Sequence, residues 1–424
     1  MDRFLKIRFL KIFLISQTLI CGLIPWTAPA FELRDPIELE TSMVLPRGVR
    51  NPRFKNMALD INNRYSNTGV ATPLGQRLNK TVTWNDVISA RDTEYDKQLI
   101  RSILQANNID ANGSPGSTTG EVNTHADVRV PILAVGITDR LTTAIAVPVM
   151  RVDVSVATGF VASADGKKFI EAASFADPVK GQEAAEKMND AINQKLSRYG
   201  YEPIKSFTQT SLGDIKVVNK YSLYRNELNA ITLKADVTLP TGRAPNVNRV
   251  IDPPVGNGYW GLGGTAIYDF YLTRWLTWNN MGGYTSAIPD RIERRIPLAA
   301  GDPLSPDKEF VTRDVGNQAI AGTSLQFKTP LGVSTGIGYN VQYQGSTTYK
   351  GTLFDQKRYQ YLGALQPSQT LHTATAQVGF STVDFYKNKK FPLPFQTNLA
   401  FTKSIAGRNA QQADLISGEI VMFF

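Results

Sequence analysis

The chain has 424 residues, a net charge of +9 and a mean hydropathy of −0.20. Because this mean hydropathy is negative, and because no apolar run of about 18 residues follows the N-terminal region, the chain is not expected to be a bundle of membrane-spanning helices. It holds one cysteine and two histidines, so neither a disulfide framework nor a thiolate metal site is expected, and no metal or cofactor is predicted.

Residues 1–30 have the three parts of a secretory signal peptide. Four basic residues come first, an apolar run too short to span a bilayer follows, and Ala28 and Ala30 have the spacing of a cleavage site. Lipid attachment at Cys21 is disfavoured because Ile20 precedes it, where a small side chain is required. We therefore predict an exported chain.

From residue 54 onward, apolar and polar residues alternate in short segments separated by turn-forming residues. Within residues 231–239, Ile231 and Leu233 fall on one face, while Lys234 and Asp236 fall on the other. A period of two is typical of β-strands. We predict twelve strands, at roughly 54–66, 122–137, 140–156, 212–225, 228–240, 258–271, 274–288, 316–329, 332–346, 370–386, 393–406 and 413–424.

The composition of the second face separates two all-β architectures. In a soluble sandwich the polar face meets water and is rich in lysine and glutamate, whereas here it is mostly Gly, Ser, Thr, Asn and Gln. Such residues suit the interior of a narrow barrel, and aromatic residues such as Trp275 and Phe401 stand near segment ends. Short turns alternate with long loops, which predicts an antiparallel transmembrane outer-membrane β-barrel with both termini in the periplasm.

Two of the long extracellular loops contain helical patterns. Their apolar stripes include Leu99 and Ile103 in the first helix, and Met188, Ile192 and Leu196 in the second. These helices either pack on each other and on the loops, closing the barrel mouth, or form an apolar vestibule for a solute. The two interpretations are compatible.

The predicted inner face carries charged and amide side chains. They either tune passage through the lumen or pair structurally, as Lys216 would with Asp236 if the turn closes near Asn226. The net sign of the lumen is basic, which mildly favours anionic solutes. The predicted lumen-lining residues are Asp127, Arg129, Lys216, Lys220, Lys234, Asp236, Lys328, Asn340, Gln342, Gln377 and Asn398.

Pro131 and Pro148 interrupt two otherwise regular strands on either side of a short turn. Proline removes a hydrogen bond from the ladder, so each one predicts a bulge or a kink. The sharper hypothesis is a weakened part of the wall, through which an apolar molecule leaves sideways into the bilayer.

No pattern in the chain indicates catalysis. A Ser-His-Asp arrangement, a zinc-protease motif and a glycine-rich phosphate loop are all missing from the sequence. We therefore predict that the protein is not an enzyme. Its net positive charge does not indicate binding to nucleic acid, because the chain is predicted to be exported. Arg291, Arg294 and Arg295 lie in a long loop, where they either contact lipopolysaccharide phosphates or are simply solvated.

Three stretches resemble a known family. Residues 136–141 (GITDRL), 212–214 (LGD) and 239–242 (LPTG) resemble motifs of the phenol meta-pathway family of outer-membrane transporters, with Ser211 in place of a usual glycine. That family is related to the long-chain fatty-acid outer-membrane channels. The resemblance implies passive uptake of hydrophobic or aromatic compounds and identifies no binding residue. It also implies that residues 31–53 plug the lumen, and it makes fourteen strands the alternative to twelve.

The sequence thus predicts a signal peptide at 1–30, an N-terminal plug segment at 31–53 and a barrel at 54–424. We expect a monomer in the outer membrane of a Gram-negative bacterium, inserted by the barrel-assembly machinery and surrounded by lipid and lipopolysaccharide. It would pass small apolar or amphipathic solutes by diffusion. The alternatives are an open general porin and a structural or adhesive barrel that acts through its loops.

Overall fold

The computed structural model describes residues 39–89, 93–176, 191–253, 255–301 and 304–424, and most of its regular structure is β-strand. In chain order the strands are β1 (Arg50–Tyr65), β2 (Ala71–Pro73), β3 (Thr81–Val82), β4 (Gly116–Gly136), β5 (Leu141–Ala146), β6 (Val149–Ala162), β7 (Phe207–Leu212), β8 (Lys216–Arg225), β9 (Asn229–Thr238), β10 (Gly261–Tyr271), β11 (Leu276–Ala287), β12 (Asp290–Arg295), β13 (Lys308–Asp314), β14 (Gln318–Lys328), β15 (Val333–Gln344), β16 (Thr348–Lys350), β17 (Gln369–Ser381), β18 (Phe395–Arg408) and β19 (Gln411–Met422). The helices are α1 (Trp84–Ser89), α2 (Glu94–Ala106), α3 (Ala164–Ala176), α4 (Ala191–Arg198), α5 (Gln356–Ala364) and α6 (Val383–Lys387), and a 3-10 turn covers Leu74–Leu78.

Twelve of these strands close into an antiparallel barrel, which confirms the predicted fold class. β1 pairs with β19 on one side and with β4 on the other, so that Arg53 lies opposite both Val421 and Ile132. The ring continues from β4 through β5, β8, β9, β10, β11, β14, β15, β17 and β18 to β19. Closing the sheet on itself satisfies the backbone hydrogen bonds of its strands, which a bilayer requires because its interior offers no water.

Alternation explains why these segments form a barrel. Every second residue of each strand points outward, and most of the outward positions are apolar and exposed. An exposed apolar surface of this extent is typical of a band that faces lipid hydrocarbon. Its members include Phe54, Leu133, Leu233, Leu262, Trp278, Tyr284, Leu325, Phe327, Ile337, Tyr343, Val378, Leu399, Phe401, Ile416, Ile420 and Met422.

The long loops lie at one end of the barrel, together with a two-residue turn between β18 and β19, and the other end has turns only. The strand pairs β4–β5, β8–β9, β10–β11 and β14–β15 are joined by short turns, and a longer turn containing α6 joins β17 to β18. The two ends of the barrel chain meet at the same rim, where the backbone N–H of Phe424 donates to the carbonyl of Arg50 at 2.9 Å. The short-turn end of such barrels is periplasmic. The first strand begins at Arg50, four residues earlier than the sequence predicts.

The long loops are folded rather than extended. Helices α1, α2 and α3 pack around Trp84, Ile100, Leu104 and Phe169, and the rings of Trp84 and Phe169 are 4.9 Å apart. In the two predicted loops that flank β14 and β15, residues 289–315 and 347–369, the strands β12, β13 and β16 form a three-stranded sheet that packs against α5. Within the described ranges, every helix is too short or too polar to span a bilayer.

A buried glutamate stabilises this small sheet. Glu309 of β13 accepts hydrogen bonds from the backbone N–H groups of Thr352 and Leu353, at 2.6 and 3.2 Å, and from the Tyr359 hydroxyl at 2.5 Å. The Thr352 hydroxyl donates a fourth hydrogen bond at 3.3 Å. Burial acts to raise the pKa of this carboxyl, but the four hydrogen bonds outweigh burial and hold the pKa below its ordinary value. Glu309 therefore ties the loop before α5 to the sheet as a carboxylate.

The basic cluster in the same loop is mostly buried rather than solvated. Arg295 lies 3.8 Å over the ring of Tyr201, and its guanidinium donates to four backbone carbonyls in three loops at 2.7 to 2.8 Å. Arg294 is also buried, so neither residue is placed to reach lipopolysaccharide, and the sequence-based interpretations are wrong for both. Arg291 remains exposed. The carbonyls that accept from Arg295 belong to Tyr199, Gly200, Val247 and Ser305.

The barrel wall is interrupted beside Pro148. β5 and β6 form one path along β4, with Val147 and Pro148 between them, and the register with β4 is unchanged across the interruption. On the other side, the two residues Val147 and Pro148 lie opposite three residues, 213–215, which connect β7 to β8. This extra residue is a β-bulge. Pro148 therefore marks a bulge as predicted, whereas Pro131 lies inside the unbroken β4. Sideways exit of a solute at this point stays a prediction.

The bulge is fastened to the loop that follows β9. The buried carboxylate of Asp214 accepts from the N–H of Gly242 at 2.7 Å and from the N–H groups of residues 257 and 258. The Thr241 hydroxyl accepts from the N–H that follows Asp214 and donates to the carbonyl that precedes it, both at 2.9 Å. The LGD and LPTG stretches thus meet at one point and hold this extracellular loop against the wall.

We expect Asp214→Ala to destabilise the barrel, because three backbone N–H groups lose their acceptor and each such loss costs roughly 1–3 kcal/mol. The measurement is the urea midpoint for loss of the heat-modifiable folded band in gel electrophoresis. Glu227→Ala, in an exposed short turn, is the matched control and should leave the midpoint unchanged. Equal midpoints for the two variants would contradict the role given to Asp214.

Candidate functional site in the barrel lumen

The chain that precedes β1 runs inside the barrel. Residues 39–49, here called the luminal segment, contact side chains or glycines on β5, β8, β9, β10, β14 and β15. Only a segment within the ring can reach strands so far apart, so these contacts also identify the inner face of each strand. The contacted residues are Thr142, Lys220, Thr232, Lys234, Asp269, Gln326, Gly336 and Gly338.

Glu40 is bound between two lysines. One carboxylate oxygen lies 2.7 Å from Nζ of Lys220, and the other lies 2.8 Å from Nζ of Lys234. The two lysines are directly opposite each other on β8 and β9, a like-charge pair that is unfavourable unless an anion lies between them. The three side chains are 22%, 17% and 25% exposed in the order Glu40, Lys220, Lys234, so the lumen gives access to them.

The predicted pair of Lys216 with Asp236 is wrong. Lys216 lies opposite Thr238, two positions away from the predicted register. The hairpin closes through a hydrogen bond from the N–H of Asn226 to the carbonyl of Asn229, and a bulge after Ser222 shifts the ladder again. Both features lie in the turn region, where alternation alone does not specify register.

A second anchor holds Ser42 against β9 and β10. One oxygen of Asp269 accepts from the N–H and the hydroxyl of Ser42, at 2.9 and 2.5 Å, and the Thr232 hydroxyl donates to the Ser42 carbonyl at 2.6 Å. The other oxygen of Asp269 accepts from the amide of Asn279 on β11 at 2.5 Å. All four residues are buried, so this carboxylate has a partner on each oxygen, as a buried charge requires.

Leu39 occupies a notch on the inner face of β15. A Cβ atom on Gly336 would come within 2.4 Å of the Leu39 side chain, and one on Gly338 within 2.3 Å. Glycine at these two positions therefore leaves the space that Leu39 fills. In the luminal segment, the apolar side chain of Leu39 therefore contacts the glycine notch, and the carboxylate of the next residue, Glu40, contacts the two lysines.

The other predicted lumen residues are distributed along the inner face. Asn340 and Gln342 are buried on β15, and Lys216 and Asp236 lie on the inner faces of β8 and β9. On β17 and β18, Gln377 lies opposite Ala400, and the Asn398 amide is 3.5 Å from Glu419 of β19. Lys328 is at the periplasmic end, where its Nζ is 3.0 Å from Asp384 of α6. That these residues line a conducting path stays a prediction.

Asp127 and Arg129 lie on the outer face, so their predicted place in the lumen is wrong. Their neighbours Val128 and Val130 are buried on the inner face of β4, whereas Arg129 is exposed and the Asp127 side chain is 47% exposed. Asp127 lies 3.4 Å from His125, which in turn lies 2.7 Å from Asp60. These outward charges therefore stabilise each other on the surface of the wall.

Asp127 and Arg129 point outward because an apolar cluster fills the interior of the barrel beside β4. The inner face is apolar on β4, on β6 and on β1 from Met57 onward, and the extracellular loops insert Leu78 and Val255 against it. The alternation of β4 consequently points its apolar side inward, opposite to the rule for a water-filled lumen. The buried strand residues of this cluster are Met57, Leu59, Val122, Ala126, Val128, Val130, Met150, Val152, Val154 and Leu415.

The predicted apolar faces of the loop helices are only partly as expected. In α2 the buried residues are Ile100 and Leu104, whereas Ile103 is half-buried and Leu99 is 36% exposed. Leu196 of α4 is buried in a separate cluster. Met188 lies outside the described residues, as does the side chain of Ile192. The first helix packs on α1 and α3, which agrees with packing on the loops, whereas Leu196 of the second predicted helix is buried in a cluster that contains no residue of the first.

Sequence reasoning missed the residues that hold the luminal segment. Asp269 stands on the small, polar face of its strand, so a lone acid there was a usable signal for a buried partner. Glu40 carries no such signal, because nothing local relates it to lysines 180 and 194 positions away.

We expect Asp269→Ala to release the luminal segment, because Ser42 loses two hydrogen bonds worth roughly 0.5–1.5 kcal/mol each. Cys21 is the only cysteine, so Thr41→Cys with Cys21→Ser gives a single reporter thiol in the lumen. Its maleimide labelling should become several-fold faster with Asp269→Ala. The matched control, Asp236→Ala, removes another inward carboxylate, and equal rates in both variants would refute this anchor.

Solved structures of outer-membrane channels are similar to this barrel. No protein-family model and no curated protein matches the chain. The solved COG4313 outer membrane channel from Pseudomonas putida F1 is similar with a TM-score of 0.52, at 12% identity, over 92% of this chain and 100% of that one. The toluene transporter TodX from Pseudomonas putida overlaps more loosely, with a TM-score of 0.33 at 10% identity, over 89% and 90% of the two chains. The chain therefore has the fold of an outer-membrane channel, which confirms at the level of the fold the resemblance seen in its sequence.

Proposed function

We propose that the protein is a passive channel in a Gram-negative outer membrane for small hydrophobic and amphipathic compounds, aromatic ones included. The observation that carries this proposal is the two-sided lumen. One side is the apolar inner face of β1, β4 and β6, and the other side carries lysine, asparagine and glutamine side chains on β8, β9, β15 and β18. A solute with an apolar body and one polar group finds a matching surface for each part.

The width of the barrel supports small solutes over a general porin. Eight-stranded barrels are just wide enough to be filled by side chains, and porins of about 16–18 strands hold an aqueous channel. A twelve-stranded barrel lies between these limits, so one chain segment suffices to narrow it. The luminal segment is held there by Glu40 and Ser42, and Leu78 and Val255 cover part of the extracellular side.

In such a channel the luminal segment narrows the path of the solute. Its anchors are an ion-pair triad and a cluster of hydrogen bonds, not a covalent link or a folded plug domain. The side chains of the triad are mostly buried, and the desolvation of such charges offsets much of the attraction between them. The segment can therefore leave its place without unfolding of the barrel.

We expect deletion of residues 33–45 to increase uptake, because it removes the anchored part of the segment and keeps the turn at 46–49 that joins β1. The measurement is fluorescence of the apolar dye phenylnaphthylamine in intact cells that express equal amounts of surface-exposed protein. Wild type should exceed the empty vector, and the deletion should exceed wild type several-fold.

Planar-bilayer recordings complete this test. We expect near-silent wild-type protein and larger steps for the deletion variant. Large, steady conductance of the wild type would indicate a general porin instead. Dye uptake at the vector level in both variants would contradict transport of apolar solutes and favour a structural or adhesive barrel.

A further inference from the structure

The luminal segment occupies the wall in the way that a small ligand would. We infer that Lys220, Lys234 and the notch at Gly336 and Gly338 form a binding site for monocarboxylates with an apolar body, which Glu40 and Leu39 fill when no such solute is present. This inference rests on the proposed function and names a solute class for it.

The charge arrangement selects a carboxylate. Each oxygen of Glu40 accepts from a different lysine, at 2.7 and 2.8 Å, so the two ammonium groups are spaced for the two oxygens of one carboxylate. The lysines are fixed on paired strands at directly opposite positions. Because their mutual repulsion persists when Glu40 leaves, the empty site favours an anion, and a neutral amide or alcohol cannot relieve that repulsion.

The apolar notch selects the rest of the solute. Leu39 and Glu40 are consecutive, so their Cα atoms are about 3.8 Å apart, and a molecule little larger than the side chains of this dipeptide can span both features. The notch accepts Leu39 because β15 carries glycine at two successive inward positions. A benzene ring or a short alkyl chain attached to a carboxylate combines the two chemical parts of this pair, an apolar group and a carboxylate.

The attachment of the occupant explains how the site would operate. Glu40 is linked through Ser42 to the anchor at Asp269, so its local concentration near the lysines is high, and a solute must compete with it. A solute carboxylate would replace both ion pairs of Glu40, so the exchange leaves neither lysine unpaired and competition is feasible. A carboxylate that displaces Glu40 would loosen the segment and thereby widen its own path.

Benzoate and the neutral benzamide, titrated calorimetrically into the folded full-length protein in detergent, test this inference. Glu40→Gln removes the competing charge without altering the barrel, and it should lower the benzoate Kd about tenfold relative to wild type, equivalent to about 1.4 kcal/mol. Benzamide should bind both proteins equally. Adding Lys234→Gln to Glu40→Gln should raise the benzoate Kd about tenfold or more.

Lys55→Gln in the Glu40→Gln background is the matched control. Lys55 is another inward lysine, on β1 opposite Glu419, and its removal changes the lumen charge equally but should leave the benzoate Kd unchanged. Equal benzoate affinity in wild type and Glu40→Gln, or equal losses from Lys55→Gln and Lys234→Gln, would overturn the site. If Lys234→Gln does not fold, the wild-type and Glu40→Gln titrations with both compounds decide.

A second readout separates this inference from the proposed function. Benzoate, but not benzamide, should speed the maleimide labelling of Thr41→Cys about tenfold. Unchanged labelling with benzoate overturns the competition with Glu40 even if the dye uptake assay succeeds. Accelerated labelling without dye uptake supports the site and counts against the channel.

Discussion

The structure depends on the double pairing of β1, which closes the sheet by forming ladders with both β19 and β4. Lipid offers no hydrogen bonds to an open strand edge, so closure is the condition for these polar backbones to enter a bilayer. Once the ring is closed, each strand has one face toward lipid and one toward a common interior. The outward aromatic and aliphatic residues and the inward charges follow from that division.

Closure also determines where the chain before β1 goes. β1 begins at the rim where Phe424 and Arg50 exchange backbone hydrogen bonds, so the preceding residues emerge beside the lumen. There they meet an interior that contains opposed lysines and a buried aspartate, whose charges need partners. The luminal segment supplies Glu40 and Ser42 to them. The same contacts that complete the interior therefore hold the luminal segment inside it.

Asp127 and Arg129 of β4 point outward, not into the lumen as the sequence predicts, because the interior beside β4 is apolar. The rule that the polar side of a strand faces inward holds for β9, where Lys234 and Asp236 point into the lumen. It fails for Asp127 and Arg129 of β4, because loop residues such as Leu78 and Val255 fill the interior beside that strand. Where the interior is packed with apolar side chains, the apolar side of the strand turns inward. A loop far away in sequence thus decides the orientation of a strand.

Local sequence determined the number of barrel strands, their antiparallel order and the end that bears the long loops, because alternation and turn chemistry act over a few residues. It also indicated the bulge at Pro148, since proline lacks an N–H. Tertiary structure alone decided that Lys216 lies opposite Thr238 and not Asp236, that Arg295 is buried, and that Glu40 lies between Lys220 and Lys234. These contacts join residues far apart in the chain, and only closure of the ring and packing of the loops bring them together.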